Sequence, residues 1–176
     1  MFFKKKNNIN LIIKFYTKIT NISRCKSIYK KLDVPDTFDG RFDLLILFTI
    51  IVVYHLSQLN SKGKTLAQNL FDHLFQDLDY TLREMGLGDA GVSIKIKKLV
   101  SAYMGRQKAY CDSFKNNNLN KLIEHIENNV YRNGKAKKSN ITALSNYCFI
   151  ILDTFKNSDK KDFLNGDFNF PIFKIK

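Results

Sequence analysis

The stretch DLDYTLREMGLGDAGVSIKIKKLVSAYMGR, from Asp77 to Arg106, decides how the chain folds. It reads as the end of one amphipathic helix, a glycine-broken turn, and the start of another. Upstream, Leu66, Leu70, Phe71, Leu74, Phe75, Leu78, Leu82 and Met85 recur at helical spacing, with Thr65 placed to cap them. Downstream, Val92, Ile96, Leu99, Val100, Tyr103, Met104, Tyr110 and Phe114 keep the same period to about residue 115. Gly86, Gly88 and Gly91 spell G-x-G-x-x-G. A dinucleotide fingerprint needs a strand before its glycines and a helix opened by them onto phosphate. Here a helix comes first, and the Asp89 carboxylate would repel pyrophosphate. The glycines are expected to stop one helix and to let a helix–helix corner pack closely.

Further out the same period recurs. Ile9, Ile12, Ile13, Tyr16, Ile19 and Ile22 mark a helix within residues 8–31, suited to a bundle or to an anionic membrane surface. Residues 33–43 read as a loop, with Pro35 and Gly40 shaping it and Asp36 or Thr37 capping the next helix. Leu44 to about Asn60 is apolar nearly all round and belongs at the centre of the fold. Its most apolar part, Leu44–Leu56, is short of the ~20 residues of a membrane span, so a soluble or peripheral protein is expected. Ser57 to Lys64 reads as a loop. Leu119, Leu122, Ile123, Ile126 and Val130 mark a shorter helix, and Asn140 is placed to cap a last one through Leu144, Cys148, Ile151 and Phe155. From Phe163 the chain is aromatic but aperiodic, and an extended tail is expected. The architecture is all-α, a single-domain bundle of about six helices. Residues 1–18 form a basic amphipathic helix or extension, and 19–176 the domain proper.

The 176 residues carry a net charge of +13, unevenly: +8 over residues 1–33, zero over 34–112 and +5 over 113–176. A DNA reader concentrates charge on its recognition element, so no DNA partner is expected. Basic ends suit a ribosome, an anionic membrane surface or an acidic partner. Cys25, Cys111 and Cys148 form no C-x-x-C pair; Cys111 and Cys148 fall in apolar patterns and read as buried free thiols of a reducing compartment. Met1–Lys6 and the segment after it lack a signal peptide's uninterrupted apolar run. His55, His73 and His125 are scattered, and Glu124 and Glu127 do not form the Glu-x-x-His pair of a di-iron bundle. No catalytic residue, metal or cofactor is expected. The mixed charges Asp36, Asp39, Arg41 and Asp43, set against Arg83, Glu84, Asp89 and Arg106, point to an internal ion-pair network tying the corner to the 36–43 loop.

Three segments, VPDTFDGRFDLL (34–45), LFDHLFQDLDYTLREMGLGDAGV (70–92) and KIKKLVSAYMGRQKAY (95–110), resemble the ubiquinol–cytochrome c chaperone family. The shared pattern is V-P-D-x-x-x-G-R-F, then F-x-D-x-D leading into L-R-E-M-G-x-G-D, then K-x-x-K and Y-x-G-R-x-x-A-Y. The resemblance makes candidate interaction residues of Asp36, Asp39, Gly40, Arg41, Phe42, Asp77, Asp79, Arg83, Glu84, Gly86, Gly88, Asp89, Lys95, Lys98, Gly105, Arg106 and Tyr110. It extends more weakly through Asn129–Tyr131 and Leu144–Tyr147, and covers about residues 20–171. Ala90 departs from it, since a leucine is usual there.

The resemblance implies a non-enzymatic all-α chaperone that assists assembly of cytochrome b into the bc1 complex. Mitochondrial relatives work near the ribosomal exit with a small partner protein. The Lys-rich start has no Arg/Ser-rich transit character, so a bacterial member is expected, cytoplasmic and peripheral at the inner membrane. The contrasting expectation is a general membrane- or ribosome-associated binding module without a dedicated client.

Overall fold

The computed structural model describes residues 2–132, 134 and 136–173, with side chains from residue 9 onward. Among these the chain is all-α: α1 (Phe2–Ser23), α2 (Lys26–Leu32), α3 (Phe38–Leu59), α4 (Ser61–Glu84), α5 (Asp89–Lys115), α6 (Leu119–Ile126), a π-helical turn (Glu127–Tyr131), α7 (Lys138–Lys156) and α8 (Lys160–Leu164).

Helix α3 is the axis. Leu44, Ile46, Leu47, Phe48, Ile50, Ile51 and Val52 are fully buried, because an all-round apolar helix must be surrounded. It packs against α1, α4, α5 and α7. Its length and mean hydropathy of 1.9 would suit a membrane span, yet 72% of that window is buried inside the fold. Each such side chain taken from water contributes about 1.5–3 kcal/mol.

Helix α3 also begins earlier than expected. Thr37 caps it, accepting from the Gly40 N–H at 3.1 Å, and Asp39 lies in its first turn, where a carboxylate is favoured. The helix therefore absorbs residues 38–43, which the sequence reads as loop. At the other end the expected 57–64 loop shrinks to Asn60. The Asn60 side chain accepts from the Gly63 N–H at 3.0 Å and replaces Thr65 as the cap of α4. Both glycines are sterically required. A Cβ on Gly40 would stand 2.0 Å from the Pro35 carbonyl oxygen, and one on Gly63 2.3 Å from that of Leu56.

The helix expected within 8–31 divides at Arg24 and Cys25, where Cys25 is extended and lets α2 turn away. Helix α2 closes on Asp33 in the left-handed region, φ 55°. The Asp33 carboxylate accepts from the Asn140 side chain at 2.8 Å. Asn140 is thereby a tie between elements and not a cap, since α7 already starts at Lys138. Phe163, expected in the tail, lies in α8, whose first N–H groups Asp159 caps.

After Gly166 the chain is extended and lies along α1. The Lys14 ammonium pairs with Asp167, and that of Lys18 donates to the Phe168 carbonyl. Phe163 and Phe168 stack at 4.5 Å, and Phe15 and Phe155 close the cluster around them. The Tyr147 hydroxyl pins the strap further along, donating to the Pro171 carbonyl at 2.6 Å.

Candidate functional site

The α4–α5 corner is built as a helix stop. The Leu87 N–H reaches back to the Leu82 carbonyl and the Gly86 N–H to that of Arg83, while Gly86 takes φ 88°. This double closure requires a left-handed residue after the helix, which glycine supplies without strain. Gly88 and Gly91 are different. A Cβ on Gly88 would meet nothing within 4 Å, and one on Gly91 only Leu87 at 3.9 Å. The expected close packing at the triplet is absent. The most crowded glycines are instead Gly40 and Gly63.

Arg83 fastens the corner from outside. Its guanidinium pairs with Asp79, one turn back, at 2.6 Å, and with Asp89 at the start of α5. Arg83 and Asp89 are exposed, and Asp79 is half-buried. Tyr80, Met85 and Ile94 stand exposed around the same corner, although Met85 falls on the apolar period of α4. Glu84, Gly88, Lys98 and Gly105 are exposed as well.

The internal network forms deeper and among other partners. Asp43 is fully buried one turn into α3. Arg106 reaches one carboxylate oxygen at 2.8 Å, and Arg132 the other at 2.9 Å. Arg132 also reaches Asp39 at 3.3 Å. Burial pushes the Asp43 carboxyl above its ordinary value; Arg106 and Arg132 pull it back, and Asp39 adds to the rise. Tyr110, fully buried on α5, has its hydroxyl pushed up by the same burial. The expected link between the 36–43 region and α5 therefore runs through Arg106 in mid-helix. Arg83, Glu84 and Asp89 are not part of it. Arg132 was not anticipated. It comes just after the π-helical turn, in the left-handed region at φ 51°, which swings it under α3. Only a lone aspartate embedded in the apolar run Phe42–Phe48 signals that such a partner is needed.

The other candidates fall between these two clusters. Asp36 pairs with Arg41 at 2.6 Å, both exposed. Phe42 is core. The Lys95 ammonium stands 5.6 Å from the exposed Phe38 ring. Asp77 accepts from the Tyr16 hydroxyl at 2.7 Å, joining α4 to α1.

Among the described residues no group of three or more His, Cys, Asp or Glu side chains is placed to hold a metal ion. Burial pushes the half-buried Cys111 thiol up to about 11 and the buried Cys148 thiol higher still, which suppresses thiolate. His55, packed on Phe155 and Phe163, is pushed down to about 4 by burial and by Lys156. What the molecule offers outward is charged and apolar surface.

The family model for ubiquinol-cytochrome C chaperone matches residues 30–170. The fold is similar to the crystal structure of the Cbp3 homolog from Brucella abortus, with a TM-score of 0.86 and 28% sequence identity. That likeness covers 97% of this chain and 93% of the other. A search of curated proteins gives no significant match.

Proposed function

The chain belongs to the ubiquinol–cytochrome c chaperone family, and on that premise we propose that it is a non-enzymatic assembly chaperone for cytochrome b of the bc1 complex. It would hold the newly made membrane subunit at the cytoplasmic face of the inner membrane. The observation that carries this reading is the family match over residues 30–170. The surface is consistent with it. Exposed Tyr80, Met85 and Ile94 give adaptable apolar contacts, and the exposed charges around them keep the free chaperone solvated.

Deleting the gene tests it. Loss of cytochrome b haem absorbance and of assembled bc1 complex, restored by the wild-type chain, is the expected outcome. Normal haem spectra and normal complex abundance in the deletion strain would sink the reading.

A second reading has its own observation. Ile9 and Ile13 are exposed on α1, just after Lys4–Lys6. Such a helix end suits an anionic membrane surface or a ribosome independently of any client. Co-purification separates the two: cytochrome b as the chief partner supports the first, lipid or bulk ribosomes alone the second.

A further inference from the structure

Two neighbouring clefts share Arg24, Tyr29 and Arg41. The inner one, about 220 Å³, opens between α1, the start of α3 and the end of α4. Phe38, Phe42, Leu45 and Leu78 give it apolar walls. Its polar end is the Tyr16 hydroxyl bonded to Asp77. The outer cleft, about 360 Å³, is basic, with Arg24, Lys26, Lys30 and Arg41 against a single acid, Asp36. Asp36 is already paired with Arg41. Among the described residues no carboxylate lies within 4 Å of Arg24, Lys26 or Lys30.

This is an apolar socket with a cationic mouth. We propose that it docks an acidic segment of a partner protein: one bulky aromatic or aliphatic side chain enters the inner cleft, and flanking carboxylates meet Arg24, Lys26 and Lys30. A large ring in a desolvated socket, ringed by complementary charge, is the usual source of binding energy at a small interface. A phospholipid fits less well. At about 220 Å³ the inner cleft is too small for a whole acyl chain, and the Asp77 carboxylate repels a phosphate that follows one in. Docking here does not depend on which client the chaperone serves, so the gene-deletion experiment can fail without touching it.

The test is fluorescence anisotropy of the full chain with a labelled pentapeptide holding one phenylalanine between two pairs of glutamates. Salt-sensitive binding is expected. Replacing the peptide's phenylalanine by alanine should weaken it at least about fivefold, and Arg24→Glu with Lys30→Glu at least about tenfold. Thr81→Trp, which fills the inner cleft, should abolish the difference between the two peptides. Lys115→Glu with Lys121→Glu should change affinity less than about twofold. Melting curves establish that each variant is folded. Because Arg24 and Lys30 are exposed, that double variant decides the matter if Thr81→Trp does not fold. Absence of binding at about millimolar peptide overturns the proposal. So does indifference to the phenylalanine or to the rim charges. Displacement of the peptide by phosphatidylglycerol vesicles, with the same dependence on Arg24 and Lys30, would assign the cleft to lipid instead.

Discussion

Two arginine–aspartate clusters stand in this molecule with the same chemistry and opposite surroundings. Arg83 holds Asp79 and Asp89 across the corner in water. Arg106, mostly buried, and Arg132, which reaches in from the surface, hold Asp43, of which no part is exposed. Exposed pairs contribute up to about 1 kcal/mol and are screened by salt. Buried pairs add little net stability while intact but cost heavily once one partner is missing. The corner is thus shaped by its glycine stop and only trimmed by charge. The deep cluster instead fixes which surfaces of α3, α5 and the segment after the π-helical turn can meet.

The sharpest way to break this contrast is Asp43→Ala, which leaves the mostly buried Arg106 without its carboxylate. It should cost about 3–5 kcal/mol in chemical denaturation. A loss below about 1 kcal/mol would mean that the cluster organises nothing. Burial also governs the acid side. The His55 pKa falls from 6.5 free to about 4 in the fold, so the unfolded chain binds a proton that the folded chain refuses. Stability should be complete above pH 6.5 and fall as the pH drops to 4, by at most about 3 kcal/mol. His55→Phe should remove that part of the slope, and an unaltered pH profile in the variant would refute the assignment.

Arg106→Ala comes next, at roughly 1–3 kcal/mol, because Arg132 still answers half of the carboxylate. Raising salt should change this loss little. An unchanged melting temperature would count against the pairing. Smallest is Arg83→Ala, which should cost no more than an ordinary surface substitution and should lose its effect at high salt. A loss there as large as that of Arg106→Ala would erase the distinction between the clusters.

The central helix and the corner were legible in the sequence because each is a local matter. Leu44–Leu56 is apolar in every direction, and Gly86 closes α4 through bonds to its own last turn. The break at Arg24–Cys25 was not legible, since the apolar period runs up to it and only packing turns α2 aside. Gly63 reads as a loop residue until the Leu56 carbonyl is seen to press on it from the preceding helix. Arg132 lies 89 residues from Asp43, and nothing local marks the partnership. The double cleft was hidden for the same reason: its walls come from α1, α2, α3 and α4 and are joined only by the fold.

The strap along α1 carries a consequence for synthesis. Phe168 comes 150 residues after Lys18, so the groove side of α1 leaves the ribosome long before its cover exists. Domains form as they emerge, early segments first. Phe15 must therefore wait uncapped, or be shielded by something else, until Phe163 and Phe168 arrive. The chaperone passes through an unfinished stage of its own, and the latch of Lys14 onto Asp167 marks its end.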